Sequence, residues 1–133
     1  MEVSLEQIRE ESINGYTEYS GIEIMETREG YAFGRVVLQD HHRNPSGAAH
    51  GGLIFCLGDV MGGTAVRTLG ALPVTVSTTI SYMKPLLHDQ VIYAEAEVTK
   101  AGKAIIFVDI RILGEEKQVA AKLQATYYNM CSR

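Results

Sequence analysis

The chain has only two cysteines, no apolar run long enough to cross a bilayer, no cluster of basic residues and no repeated or low-complexity stretch. Each shortage excludes a class of protein. Cys56 lies inside an apolar segment and Cys131 near the C-terminus, without metal-ligand spacing or the density of a disulfide framework. Both read as thiols of a reducing, cytoplasmic compartment. The longest apolar segment, Leu53 to Val66, is interrupted by Asp59 and three glycines. It falls short of the roughly 20 residues that a membrane span needs, so no membrane association is expected. The first residues interleave Glu6, Arg9, Glu10 and Glu11 with Val3, Leu5 and Ile8, which is not the pattern of a cleavable signal. Lys and Arg are scattered and number 12 against 16 Asp and Glu, a net charge of -4 that argues against a nucleic-acid partner. What remains is a chain of 133 residues, 46% hydrophobic, suited to one domain over 1–133 that binds small molecules or other protein chains.

Local patterns predict an α+β layout. Ser4 suits the cap of an edge or lid helix over Leu5 to Asn14, with Gln7 placed for a capping box and Gly15 as the stop. Gly21 to Thr27 and Tyr31 to Gln39 read as a hairpin around Arg28-Glu29-Gly30. In the polar loop from Asp40 to Gly52, His41 and His42 lack a carboxylate or thiolate at ligand spacing. They read as solvated histidines, and no metal is expected. Leu53, Cys56, Leu57, Val60, Met61, Thr64 and Ala65 recur with helical period, which predicts a nearly buried helix ending around Gly70. Val74 to Met83 alternates, with Val74, Val76, Ile80 and Tyr82 toward the core and Thr75, Ser77, Thr79 and Ser81 toward water. Val91 to Lys100, Ala104 to Leu113 and Gln118 to Tyr128, joined by short polar connectors, form an antiparallel meander. One long helix laid over a sheet of about six strands follows.

Two features carry chemistry. The stretch Asn44-Pro45-Ser46-Gly47-Ala48-Ala49-His50-Gly51-Gly52 reads as a loop running into a helix. Paired glycines there leave free N–H groups where the helix dipole favours negative charge, an anion or oxyanion site. The plain alternative is a tight turn with His50 packed beside it. The second feature is Asp59, alone in an apolar helix although Asp is a poor helix former and costly to bury unpaired. It is either a functional acid or a structural, hydrogen-bonded one. Gly58, Gly62 and Gly63 each cost a helix about 1 kcal/mol relative to Ala. They leave the surface beside Asp59 bare, open to a ligand or to a closely packed element.

Asn44, Gly47, His50-Gly51-Gly52, Asp59 and the strand ending Ile80-Ser81-Tyr82-Met83-Lys84-Pro85 together resemble the PaaI-like branch of the hotdog-fold acyl-CoA thioesterases, over essentially the whole chain. The resemblance implies a sheet wrapped around the central helix, chains paired edge to edge as a homodimer or homotetramer, and active sites shared across the dimer. It implies that the Gly51 N–H, helped by Asn44, polarises the thioester carbonyl. Asp59 of the other chain would then be general base or nucleophile. His50 would orient the loop and Asn44, and Thr75 would help to place water. Gly52, Tyr82 and the turn Lys100-Ala101-Gly102-Lys103 are the implied contacts for substrate and coenzyme A phosphates. Relatives commonly carry an Asp near the position of Ser77, a departure that bears on substrate orientation. No cofactor is implied, because coenzyme A is part of the substrate. Two alternatives remain: a hydratase or dehydratase on the same fold, which would use a His-based dyad in a differently spaced loop, and a non-catalytic acyl-CoA sensor, which has no need of Asp59. The acyl group is left open between aryl and medium-chain types. Tyr16, Tyr19, Met25, Phe55, Met61 and Tyr82 are candidate lining, or else core.

Overall fold

The structure, a computed structural model, describes residues 3–130, so Cys131 lies outside it. It opens with helix α1, Leu5–Ser12, whose cap is Ser4: the hydroxyl accepts the Gln7 N–H at 3.1 Å. The reciprocal half of the capping box does not form, because the Gln7 side chain donates to Glu11 one turn on instead. Helix α1 stops short of Asn14. Gly15, expected to end it, opens a second helix, α2, Gly15–Tyr19. Gly15 has a φ of +53°, a left-handed conformation that breaks one helical path and starts another. Nor is α1 a loose lid, since Ile8 is fully buried and the Arg9 guanidinium donates twice to the Ile24 carbonyl.

Strands β1 (Ile22–Arg28) and β2 (Tyr31–Val37) form the expected hairpin, and helix α3 runs from Gly51 to Arg67. Strands β3 (Pro73–Tyr82), β4 (Val91–Ala101), β5 (Ile105–Leu113) and β6 (Val119–Asn129) complete the chain. They assemble into one antiparallel six-stranded sheet in the order β1-β2-β4-β5-β6-β3. The α+β hotdog layout is therefore the one found. Alternation decides which face meets the helix: in β5, Ile106, Val108, Ile110 and Ile112 are buried while Phe107, Asp109 and Arg111 face outward. From α3, Leu57, Met61, Ala65 and Val66 fill the same core.

The helical glycines are accounted for by close packing against the sheet. A Cβ at Gly58 would lie 2.8 Å from a Leu123 methyl, and one at Gly62 would lie 2.2 Å from the Tyr127 hydroxyl oxygen. Without side chains there, α3 settles onto β6, and the tighter packing of helix on strand offsets the glycine cost.

Strand β3 departs from its predicted alternation. Thr75 pairs with Tyr127 but Ser77 with Thr126, so Val76 is an extra residue, a β-bulge. The inserted residue reverses the alternation on one side of it. Thr75 consequently shares a face with Thr78, Ile80 and Tyr82, whereas Val74 and Val76 are exposed, Val76 by 59%. As the outermost strand, β3 also presents one edge of its backbone without a neighbouring strand.

Candidate active site

The loop before α3 is built by Asn44. Its side-chain oxygen accepts the N–H groups of Ser46 at 2.9 Å and Ala48 at 3.1 Å, while its own N–H donates to the Ala48 carbonyl. This is the turn chemistry for which Asn is suited, and it leaves the side-chain NH2 as a donor. His50 is the N-cap of α3. Its Nδ1 accepts the Gly52 N–H at 2.8 Å, so the imidazole steadies the helix start rather than Asn44. With Gly52 engaged, the donor left at the start of the helix is the Gly51 N–H, which meets no acceptor among the described residues. Tyr82 comes to the same place from β3, donating its hydroxyl to the Gly51 carbonyl at 2.8 Å. Its ring carbon and hydroxyl oxygen stand 3.3 Å from where a Gly51 Cβ would be, so a side chain at residue 51 would crowd this approach.

Asp59 sits two turns further along α3, half-buried. The bulge in β3 aims Thr75 at it, and the Thr75 hydroxyl donates to Oδ1 at 2.9 Å. Tyr127 from β6 also reaches it, with its phenol oxygen 3.2 Å from Oδ1 and 3.0 Å from the Asp59 carbonyl oxygen. Burial, and then the Asp59 charge, push the Tyr127 phenol well above its ordinary pKa and keep it protonated. The same two causes raise the Cys56 thiol, which makes it an unreactive neighbour. Beside the carboxylate lies a cavity of about 170 Å³, bounded also by the Glu11–Arg67 ion pair at 3.2 Å.

Gly51 and Asp59 are eight residues apart on one helix, about 12 Å at 1.5 Å per residue. One chain therefore does not bring the amide and the carboxylate to the same carbonyl group. Lys100, Gly102 and Lys103 are exposed on the β4–β5 hairpin. The Lys103 carbonyl accepts a hydrogen bond from Asn129, which pairs with Pro73, so the hairpin stands at the end of the sheet where β3 begins.

Other candidates fall elsewhere. His42 is buried, contrary to the reading of it as solvated: Nδ1 accepts the Gln39 N–H at 3.0 Å and Nε2 faces the Ser20 carbonyl at 2.9 Å. Two backbone partners make burial of the ring tolerable. No group of three or more His, Cys, Asp or Glu side chains near enough to hold a metal occurs among the described residues. Met61 is core, while Tyr16 and Tyr19 stand out in solvent at the edge of a depression that His50 and Gly52 also line. A larger cleft, about 640 Å³, is lined by Tyr31, Phe33, Tyr93, Glu95 and Arg111 on the sheet face turned away from α3. It contains neither the acid nor the helix start.

Residues 46–121 match the family model of the thioesterase superfamily, a span that includes His50, Gly51, Asp59 and Thr75. The chain belongs to the thioesterase superfamily. It is 28% identical to the acyl-coenzyme A thioesterase PaaI of Escherichia coli over 101 residues, 76% of this chain and 72% of that one. A conserved protein of Pseudomonas aeruginosa has a similar structure, with a TM-score of 0.86 and 30% identity over 92% of this chain and 98% of that one. A Streptococcus pneumoniae thioesterase protein solved with coenzyme A follows, with a TM-score of 0.80 and 28% identity over 86% and 93% of the two chains. That protein has also been solved as an Asp-to-Ala and a Thr-to-Ala variant, at positions sixteen apart, the separation of Asp59 and Thr75 here. This thioesterase is thus an enzyme of the PaaI-like hotdog class, and its acid and helix start lie within the matched span. Tyr127, outside that span, is the neighbour of Asp59 that sequence reasoning missed. Its only signal was the bare helix surface at Gly62.

Proposed function

We propose that this thioesterase hydrolyses an acyl-CoA with an aryl or medium-chain acyl group, in sites shared between two chains that pair through β3, as a homodimer or a dimer of dimers in the cytoplasm. The observation that carries the reading is the pair formed by Asp59 and Thr75 on one flank of α3 and the free Gly51 N–H about 12 Å away at its start. A cavity of about 170 Å³ is also too small for a ligand of this kind, whose pockets usually span about 300–1,000 Å³. A second chain across the exposed β3 edge supplies the missing half. The binding of coenzyme A by the Streptococcus pneumoniae relative and the activity in the name of the Escherichia coli relative support the substrate class.

In this reading the Asp59 carboxylate takes a proton from a water, which attacks the thioester carbon. Negative charge develops on the carbonyl oxygen, where the partner's Gly51 and the partner's Asn44 donate hydrogen bonds that are already in place before reaction. The carbon–sulfur bond then breaks, the free acid forms, and coenzyme A leaves as a thiolate that takes up a proton. His50 holds the Gly52 amide and so fixes the helix start, and Tyr82 lies over the Gly51 backbone. Lys100 and Lys103, around Gly102, supply positive charge for the nucleotide phosphates.

The test is incubation with aryl and straight-chain acyl-CoAs in the presence of a thiol reagent. Release of free thiol is expected. A new absorbance from an unsaturated acyl chain would indicate a dehydratase, and binding without either signal a sensor.

A further inference from the structure

We infer that Tyr127 is a positioning residue for the reaction: with Thr75 it holds Oδ1 of Asp59, so that Oδ2 is the oxygen that takes the proton from water. The inference rests on the thioesterase reading of Asp59 proposed above and adds to it which oxygen reacts and what fixes it.

Two hydroxyls converge on one carboxylate oxygen, Thr75 at 2.9 Å and Tyr127 at 3.2 Å. They arrive from adjacent, paired strands, since Thr75 is opposite Tyr127 in the β3–β6 ladder. The single phenol proton has two acceptors in reach, the Asp59 carbonyl at 3.0 Å and Oδ1. A carbonyl inside a helix already receives an N–H from the next turn, and an ionised carboxylate is the stronger acceptor. The proton therefore belongs on Oδ1. Tyr127 is 1% exposed and stays protonated, so it is a fixed donor rather than a competitor for protons. With Oδ1 engaged twice, Asp59 loses rotational freedom about its side-chain bonds, and Oδ2, which meets no donor among the described residues, is left as the free oxygen of a carboxylate that lines the cavity. Gly62 makes this possible, because a Cβ there would sit 2.2 Å from the Tyr127 hydroxyl oxygen.

A double-mutant cycle tests it. Tyr127→Phe should lower kcat about ten- to a hundredfold, the cost of a hydrogen bond to a charged group, and leave KM within about twofold. In an Asp59→Asn background, itself expected about two to four orders of magnitude down in kcat, the same change should cost less than about threefold. Thr75→Val removes the other hydroxyl on Oδ1 and should likewise lower kcat with KM nearly unchanged, and it too should cost little in the Asp59→Asn background. Equal losses from Tyr127→Phe in both backgrounds, or no loss in the parent, would overturn the positioning role while leaving the thioesterase reading intact. Full turnover by Asp59→Asn would overturn both. Melting curves of each variant separate these outcomes from unfolding.

Discussion

Both ring nitrogens of His42 are committed to backbone groups, one accepting from Gln39 and the other facing Ser20. Burial, with the neighbouring His41 ring adding to it, holds the imidazole below the ordinary histidine pKa, against the raising influence of the Ser20 carbonyl. The unfolded chain therefore binds the proton at higher pH than the folded one. Stability from this residue is complete above the ordinary histidine pKa and is lost as pH falls through it toward the lowered value. A proton on Nδ1 would oppose the Gln39 N–H and loosen the segment leading to the Asn44 loop. NMR titration of the His42 ring should show protonation below the usual histidine range, accompanied by a falling melting temperature. An ordinary titration with no stability change contradicts this. At this scale Asp59 was legible, because an acid in an apolar helix stands out. The burial of His42 was not, since it depends on backbone partners that composition does not show.

Among the elements, β3 departs most from its predicted pattern. Strict alternation put Thr75 on the wet face, opposite Ile80 and Tyr82. The bulge at Val76 brings it to the helix face, where it meets Asp59. A bulge leaves no mark in a run of Val, Thr and Ser, all of which suit a strand. Helix α3 was legible from its period, and its glycines announced close contact without naming Leu123, Tyr127 or Ile110 as the neighbours. The β4–β5 hairpin is the element to which the proposed function gives the coenzyme A phosphates. Lys103→Ala should raise KM for acyl-CoA, more at low salt than at high, with kcat nearly unchanged, because an exposed cation contributes charge rather than chemistry. A KM that does not move at low salt removes the hairpin from the site.

For the whole molecule, strand order bears on the division of the site proposed above. The chain threads β3 to the outside of the sheet, next to β6, so Thr75, which binds Asp59, and Tyr82, which binds Gly51, both lie on an edge strand with one side unpaired within the chain. An edge exposing Val76, Tyr82 and Met83 is one that proteins ordinarily cover, and a second copy related by twofold symmetry covers both edges at once. No helix among the described residues is long and apolar enough to cross a membrane. The fold class could be read from the sequence, and so could Asp59 and the loop before α3 as candidates, whereas Tyr127 and the roughly 12 Å that separates Gly51 from Asp59 along α3 are seen only in the fold.

That division is tested most directly by mixing two inactive chains. Asp59→Asn homodimers lack the base in both sites, and Asn44→Ala homodimers lack a donor in both. A heterodimer of the two holds one site with the Asp59 of one chain and the Asn44 of the other intact, and one site lacking both. Subunit exchange should therefore restore activity, up to about half of the sites in each heterodimer. Exchange demonstrated by mass spectrometry without any return of thiol release would mean that Asn44 and Asp59 serve one site from a single chain, contradicting the shared site.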